Sequence, residues 1–144
     1  MKIIIYTDGG ARGNPGPAAI GVVFYNEQQQ MLKEYAECIG TATNNEAEYG
    51  AVILALKKAK LLLGKEKIKQ TEIDFKLDSE LVVRQLNHQY KIEGENMQKL
   101  FIIIWNLLTE FGKVNFAHIP REQNKEADRL LNEALDGKME NKLF

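Results

Sequence analysis

The stretch Lys2-Ile3-Ile4-Ile5-Tyr6-Thr7-Asp8 decides the class of fold that we expect for this chain. Its nearly continuous apolar run is typical of a strand that is covered on both faces in the middle of a sheet. The strand ends on a carboxylate, and residues 9–17 that follow contain four glycines and two prolines. Because such a composition does not support regular structure, the sequence predicts a loop over residues 9–17.

Two more strands and a long helix follow this loop. Residues 20–25 and 30–39 are predicted strands joined by a turn over 26–29, and with the first strand they form an antiparallel meander. The helix begins near Asn44 or Asn45, either of which can cap it, and ends at Leu63. Gly64 is placed to terminate this helix in the left-handed conformation.

The second half of the chain alternates strands and helices. After a lysine-rich connection, residues 71–77 alternate as a fourth strand that ends beside a second carboxylate, Asp78. Ser79 can cap a short helix that runs to Leu86. The later elements are a polar stretch over residues 87–96, a helix over 97–111 closed by Gly112, a strand over 114–119 broken by Pro120, and an amphipathic helix over 122–135.

This order of elements predicts an α/β domain built on a five-stranded mixed sheet. The first three strands are expected to be antiparallel and the later ones parallel, with helices on both faces of the sheet. A length of 144 residues, with no internal repeat or interdomain linker, matches one domain over residues 1–144.

The composition excludes several classes of protein and site. No apolar run approaches the roughly 20 residues of a membrane-spanning helix, and the N-terminus lacks a signal-peptide cleavage site, so we expect a cytoplasmic protein without a membrane partner. The single cysteine, Cys38, excludes an internal disulfide and a thiolate zinc site. The net charge of −1 counts mildly against nucleic-acid binding. We expect a monomer, although the residues leave the oligomeric state open.

Four acids stand at positions that suggest a shared role. Asp8 and Asp78 follow strands, whereas Glu48 and Asp128 lie on or beside helix faces that should be apolar. Each acid alone is explained by a turn or by the helix dipole. Four carboxylates at one edge of a sheet repel one another unless a cation joins them, and oxygen ligands without His or Cys favour Mg²⁺ or Mn²⁺ over Zn²⁺. Two such ions about 4 Å apart suit in-line displacement at a phosphate.

Four motifs carry a resemblance to a known family. They are YTDGGARGNPG at residues 6–16, TNNEAE at 43–48, LDSE at 77–80 and NKEAD at 124–128. In this order, over essentially the whole chain, they resemble the type 1 ribonuclease H family. The resemblance implies the ribonuclease H-like fold and an endonuclease that hydrolyses the RNA strand of an RNA/DNA hybrid, leaving 5′-phosphate and 3′-hydroxyl ends.

The resemblance also implies roles for individual residues. The catalytic and metal-ligating acids are Asp8, Glu48, Asp78 and Asp128, which would hold two Mg²⁺ ions, with Mn²⁺ as a substitute. His118 matches a mobile histidine associated with product release or proton transfer; the alternative is a half-buried histidine at a strand end. The residues expected to contact the substrate are Gly9, Gly10, Arg12, Asn14, Thr43, Asn44, Asn45, Glu80 and Arg121.

The substrate contacts have a physical basis and open alternatives. RNA differs from DNA at the 2′ hydroxyl, so its recognition needs short polar side chains and close backbone approach. By resemblance, Glu80 occupies a position that contacts this hydroxyl, and Thr43 the edge of a pocket for a DNA phosphate. The paired asparagines can equally be a helix cap, and Arg12 and Arg121 can be exposed loop residues without a specific contact.

Two departures from the family pattern bear on activity. Many bacterial members carry Gln where this chain has Glu80, and the added negative charge could change the metal affinity or the rate. Those members also carry a basic insertion that grips the hybrid. Here residues 87–96 are short and hold one fixed positive charge, Lys91, against Glu93 and Glu95, which predicts weaker substrate binding. Tyr90 either stacks on the DNA strand or contributes to the core.

Two other functions stay open at this point. One is a hybrid-binding module that has lost catalysis, and the intact set of four acids argues against it. The other is a nuclease of the same fold that acts on single strands or DNA junctions, which the glycine and asparagine loops disfavour. The sequence does not decide whether RNA/RNA duplexes are cut or whether Mn²⁺ is preferred to Mg²⁺.

Overall fold

The structure, a computed structural model, describes residues 1–142, with side chains described as far as residue 137. Within these residues the chain forms five strands, five α-helices and one short 3-10 helix. The strands are β1 (Lys2–Ala11), β2 (Gly16–Tyr25), β3 (Met31–Ala42), β4 (Glu72–Leu77) and β5 (Val114–His118). The helices are α1 (Asn44–Leu63), α2 (Lys65–Gln70), α3 (Glu80–Leu86), α4 (Glu95–Leu108) and α5 (Lys125–Lys142), with the 3-10 helix at Arg121–Gln123.

The five strands form one mixed sheet in the order β3-β2-β1-β4-β5. β1 pairs antiparallel with β2, and β2 pairs antiparallel with β3. β1 and β4 are parallel, as are β4 and β5. The predicted meander followed by parallel strands is therefore confirmed, and β1 is the central strand.

Helices cover both faces of the sheet, as predicted. Alternate residues of β2 show this directly: Ile20, Val22 and Phe24 belong to the large core beneath α1, whereas Ala19 and Val23 pack against α5. A Cβ atom added to Gly21 would overlap the backbone of Ala127, so α5 lies very close to β2 there. This alternation is why the apolar run of a central strand is nearly continuous.

β1 is longer than predicted. It continues past Asp8 to Ala11, with Gly9 opposite Ile20 and Gly10 opposite Ala19 in β2. The expected loop over residues 9–17 shrinks to residues 12–15. The prediction was wrong because antiparallel pairing with β2 supplies hydrogen bonds that no local pattern reveals.

The ends of α1 differ in part from the prediction. The N-cap is Thr43, not Asn44 or Asn45: its hydroxyl accepts from the N–H of Glu46, whose side chain accepts from the N–H of Thr43. This reciprocal pair is a capping box. Gly64 does end the helix at a positive φ of 85°, but its ψ of 165° lies outside the left-handed helical region.

Further boundaries also differ from the prediction, among them the end of β3, which lies at Ala42 and not at residue 39. The lysine-rich connection contains a short helix, α2. Helix α4 begins at Glu95 and ends at Leu108, with Thr109 as its C-cap, so Gly112 lies beyond the helix end. β5 ends at His118, and the predicted last helix is divided into a 3-10 turn and α5. None of the helices in residues 1–142 combines the length and apolar character that crossing a membrane requires.

Candidate metal centre

Three carboxylates converge where the carboxyl ends of β1 and β4 meet. The parallel register pairs Tyr6 with Lys76, so Asp8 and Asp78, each two residues further along, reach the same edge of the sheet. Glu48 joins them from the second turn of α1. One carboxylate oxygen from each of the three lies within 4.8 Å of one from each of the others. They line an open cavity of about 430 Å³.

Gly9 allows Glu48 to reach this edge. A Cβ atom at Gly9 would overlap the backbone of Ala47, so only glycine lets α1 approach β1 this closely. The N–H of Gly9 donates to Oε1 of Glu48 at 3.1 Å. Oε2 of Glu48 is buried and has no hydrogen-bond partner. An orphaned carboxylate oxygen is costly, which indicates that the site is built to hold a cation.

Burial changes the protonation of this pair. Asp8 is 7 % exposed and Glu48 is 6 % exposed. Burial is the main cause that raises the pKa of Asp8 to about 7, and the negative charges of Asp78 and Asp128 raise it further. Burial and the charge of Asp8 raise the pKa of Glu48 well above its usual value. Without a cation, the pair therefore retains a proton near neutral pH.

The fourth acid, Asp128, lies on the cavity wall and not in the tight group of three. It projects from the first turn of α5 and is exposed. It lines the same cavity as the other three acids, and its charge acts on Asp8. Nδ2 of Asn132 donates to Oδ1 of Asp128 at 3.3 Å. The structure thus brings all four predicted acids to one cavity, with Asp128 at its solvent side.

The donor set fits a hard divalent cation. The close group is made of carboxylate oxygens alone, without His or Cys, and it includes one buried oxygen that lacks a partner. Mg²⁺ and Mn²⁺ prefer oxygen ligands and retain water, which the open cavity permits. A cation here would also offset both the burial of the charges and the repulsion between them, which together raise the pKa of Asp8 and Glu48.

The predicted asparagines tie the loop after β1 to the start of α1. The backbone N–H of Asn44 donates to Oδ1 of Asn14 at 2.9 Å. Oδ1 of Asn44 accepts from the N–H of Ala11 at 2.9 Å. Asn45 is exposed and lines the metal cavity beside Asn44. Thr43 does not line that cavity; it lines a second cavity of about 660 Å³ that also contains the start of α4.

Four more predicted substrate residues line the metal cavity. They are Gly9, Gly10, Arg12 and Arg121. Arg12 is paired with Asp136 of α5, with Nη2 and Oδ1 2.6 Å apart. This ion pair links the loop after β1 to α5, so Arg12 has a structural partner in addition to its place at the cavity.

Four predicted residues are not among those that line the metal cavity: Asn14, Thr43, Glu80 and His118. His118 is exposed at the end of β5, in register with Leu77, which immediately precedes Asp78; the alternative of a half-buried histidine is therefore wrong. Glu80 is exposed in the first turn of α3 and forms an ion pair with Arg84, with Oε1 and Nε 2.9 Å apart. The Arg84 guanidinium also lies over the ring of Tyr90, which is 49 % exposed and not part of the core.

Sequence reasoning missed two residues that contact the acids. Asn124 lies immediately before α5, is 1 % exposed, and donates from Nδ2 to Oδ2 of Asp78 at 3.0 Å. Asn132 lies one turn after Asp128 and donates to it. The only signal for Asn124 was its place at the start of the NKEAD motif, and Asn132 has none beyond its helical spacing from Asp128.

Comparison with known proteins identifies relatives of this chain. The family described as reverse transcriptase-like matches residues 6–134. A bifunctional protein of Mycobacterium tuberculosis is 39% identical over 94% of this chain and 36% of its own length. The chain therefore spans about a third of the length of the mycobacterial relatives that it matches. Ribonuclease HI of Halobacterium salinarum is 38% identical over 94% of this chain and 65% of its own length.

The solved structures agree with the sequence matches. LC11-RNase H1, whose structure was solved in complex with an RNA/DNA hybrid, superposes with a TM-score of 0.91 at 45% sequence identity. The match covers 95% of this chain and 99% of that chain. The sheet order and the helices on its two faces are thus those of a known fold, and the resemblance drawn from the four motifs is confirmed.

Proposed function

Since the chain belongs to the reverse transcriptase-like family and, within it, to the ribonucleases H, we propose that it is an endonuclease that hydrolyses the RNA strand of an RNA/DNA hybrid. The observation that carries this proposal is the convergence of Asp8, Glu48 and Asp78 within 4.8 Å at the edge of an open cavity. A module that only binds nucleic acid has no use for buried carboxylates that repel a phosphate.

Asp8, Glu48, Asp78 and Asp128 would hold two Mg²⁺ ions, with Mn²⁺ as a substitute. Bound there, the ions would supply activation of water and charge stabilisation of the leaving 3′ oxygen in an in-line displacement, which gives 5′-phosphate and 3′-hydroxyl ends. The raised pKa values of Asp8 and Glu48 mean that these residues release a proton when a cation enters.

The glycine and asparagine residues around the cavity would select RNA. Gly9 and Gly10 both line the cavity, and since the side-chain position of Gly9 is filled by the backbone of α1, it is Gly10 that leaves β1 open to close approach by a ribose. Asn14 and Asn44 are held in place by backbone N–H groups, and such ordered amides suit contact with a 2′ hydroxyl. Asn45 beside them offers both a donor and an acceptor.

The two arginines of the metal cavity and the predicted residues outside it would act on other parts of the substrate. Arg12 and Arg121 line the cavity and can neutralise phosphates. Thr43 lines the second cavity, where it would contact a phosphate of the DNA strand. His118, which is exposed and in register with Leu77 of β4, would assist proton transfer or product release. Glu80, one oxygen of which is bonded to Arg84, would contact a 2′ hydroxyl.

The test is cleavage of a labelled RNA/DNA hybrid beside single-stranded RNA, RNA/RNA and DNA/DNA, with Mg²⁺ or Mn²⁺, by wild type and Asp8→Asn. We expect metal-dependent cutting of the RNA strand of the hybrid and its loss in Asp8→Asn. Binding of the hybrid without cutting in either metal would contradict the proposal and identify a non-catalytic hybrid-binding module. Preferential cutting of single strands or DNA would identify a different nuclease of the same fold.

A further inference from the structure

Asn124 makes an unusual set of contacts for a buried amide. Its Nδ2 donates to the carbonyl oxygen of Thr7 at 2.8 Å and to Oδ2 of Asp78 at 3.0 Å. Both partners are acceptors, so the NH₂ end of the amide must face them and its orientation is fixed. The residue is 1 % exposed, and its Oδ1 is buried without a partner.

These contacts join three of the four acids. Thr7 immediately precedes Asp8 in β1, and Asp78 follows β4. The carbonyl oxygen of Asn124 accepts from the N–H of Asp128 at 3.1 Å, which closes the first turn of α5. One residue thus links the strand end that carries Asp8, the side chain of Asp78 and the helix turn that carries Asp128.

The cost of this arrangement argues against a purely structural role. A buried amide oxygen without a partner destabilises the folded protein, and an apolar residue of similar size would avoid that cost. The two N–H groups are what an apolar residue could not supply. Both are used to hold groups next to the metal site, and one of them fixes an oxygen of Asp78 itself.

We propose that Asn124 is a positioning residue that sets the geometry of the metal centre by holding Asp78 and the end of β1. It does so by occupying one oxygen of Asp78, which leaves the other for a metal ion. Partners that orient a ligand in this way commonly change metal affinity by about 10- to 100-fold when they are removed. The inference rests on the proposed function, since it requires that the acids bind a divalent cation.

The experiment measures the metal affinity without substrate. The protein is prepared free of metal, and its Tm is measured as Mg²⁺ is added. The proteins compared are wild type, Asn124→Ala and Asn124→Leu, of which Asn124→Leu keeps the buried volume. The matched control is Asn115→Ala. Asn115 also donates to two carboxylates, Glu72 at 3.0 Å and Asp74 at 2.7 Å, but it lies in β5, and neither acid lines the metal cavity.

We expect both Asn124 variants to need about tenfold more Mg²⁺ than wild type for the same increase in Tm, and Asn115→Ala to need the wild-type concentration. A folded Asn124 variant that needs only the wild-type concentration would overturn the inference. If wild type itself shows no Mg²⁺-dependent increase, the metal centre of the proposed function fails, and the inference with it.

A second measurement covers variants that do not fold. In wild type, the side-chain amide resonances of Asn124 should shift on addition of Mg²⁺, while those of Asn115 stay unchanged. Unshifted Asn124 resonances at saturating Mg²⁺ would overturn the inference, because a held ligand cannot bind a cation without a change at the amide that holds it.

Discussion

At the scale of single residues, the site works against the stability of the protein. Asp8 and Glu48 are buried side by side, and burial raises the pKa of both. Such groups are tolerated where a ligand compensates them, and functional sites commonly contain them. The same residues therefore account for the expected metal binding and for a stability cost that can be measured without any substrate.

We predict that Asp8→Asn stabilises the metal-free protein at pH 8. The folded protein keeps the proton of Asp8 up to a pKa of about 7, whereas an ordinary Asp has a pKa of 3.8. The stability that this bound proton contributes is therefore complete below about pH 4 and is lost as the pH rises through about 7. A pKa difference of about three units means that Asp8→Asn should raise the free energy of unfolding by at most about 4 kcal/mol at pH 8 and should hardly change it at pH 4. Urea unfolding in EDTA at both pH values measures the difference.

The control for this prediction is Glu93→Gln, which removes an exposed acid from the connection before α4 and should change the free energy of unfolding little at either pH. An Asp8→Asn variant that is less stable than wild type at pH 8 would show that the carboxylate is compensated within the protein.

Gly9→Ala is predicted to damage both folding and the site. The new Cβ would overlap the backbone of Ala47, so α1 must move away from β1 and carry Glu48 with it. We expect a loss of more than about 2 kcal/mol in stability and at least a hundredfold loss of cleavage. Urea unfolding and single-turnover cleavage test this.

Gly50→Ala is the matched control, because Gly50 lies on the same helix and its added Cβ would meet nothing closer than 3.8 Å. This change should be neutral or slightly stabilising, since Ala favours helix over Gly. Equal behaviour of the two variants would contradict the close approach at Gly9.

At the scale of elements, the connection between α3 and α4 is the segment where the resemblance implies that many bacterial members carry a basic insertion. Its backbone is held by Gln85, whose Nε2 donates to the carbonyl of Lys91 at 3.3 Å, and whose Oε1 accepts from the buried hydroxyl of Tyr49 at 2.7 Å. The connection is thus anchored to α1, next to Glu48. Its charged side chains, Lys91 and Glu93, are exposed.

We predict weak hybrid binding with a shallow dependence on salt. Because few lysines or arginines lie near the hybrid, few counterions are released when it binds. The slope of log K against log salt is proportional to the number of counterions released, so a small slope is expected. Glu93→Lys should tighten binding and steepen the slope by up to about one unit if it meets a phosphate. Fluorescence anisotropy of a labelled hybrid in EDTA, over a range of salt concentrations, measures both quantities.

The control is Glu66→Lys, which makes the same charge change in α2. Helix α2 leads into the start of β4, whereas the acids lie at the carboxyl ends of β1 and β4, so Glu66 lies at the other end of the strands. This substitution should leave the slope unchanged. Hybrid affinity equal, at matched salt, to that of a relative with the basic insertion would contradict the prediction for wild type.

At the scale of the whole molecule, metal binding should be linked to global stability. The acids come from β1, α1, the end of β4 and α5, so a cation that binds them joins elements from both faces of the sheet. A ligand that binds only the folded state raises the Tm by mass action. We predict that millimolar Mg²⁺ raises the Tm more at pH 8 than at pH 5, because at pH 5 the cation must displace protons from Asp8 and Glu48.

Scanning calorimetry with Mg²⁺, against NaCl at matched ionic strength, tests this linkage. An equal increase in Tm at the two pH values would mean that the bound cation does not compete with those protons.

The sequence by itself determined the order of the five strands and of every helix except α2 and the 3-10 turn, the mixed sheet, and the four acids of the cavity. Alternation in β4, the Ser79 cap of α3 and the apolar run of β1 are local patterns, and local patterns depend on backbone geometry that neighbouring residues set. The motifs added the family, which the comparisons confirmed.

Only the tertiary structure decided the features that depend on groups far apart in the chain. β1 extends to Ala11 because β2 pairs with it, and Thr43 caps α1 while Asn44 holds the N–H of Ala11. Asn124 meets Asp78 across 46 residues of chain. Burial, which sets the pKa of Asp8, is likewise a property of the packed molecule, because the solvent that a side chain loses is displaced by residues that the local sequence does not contain.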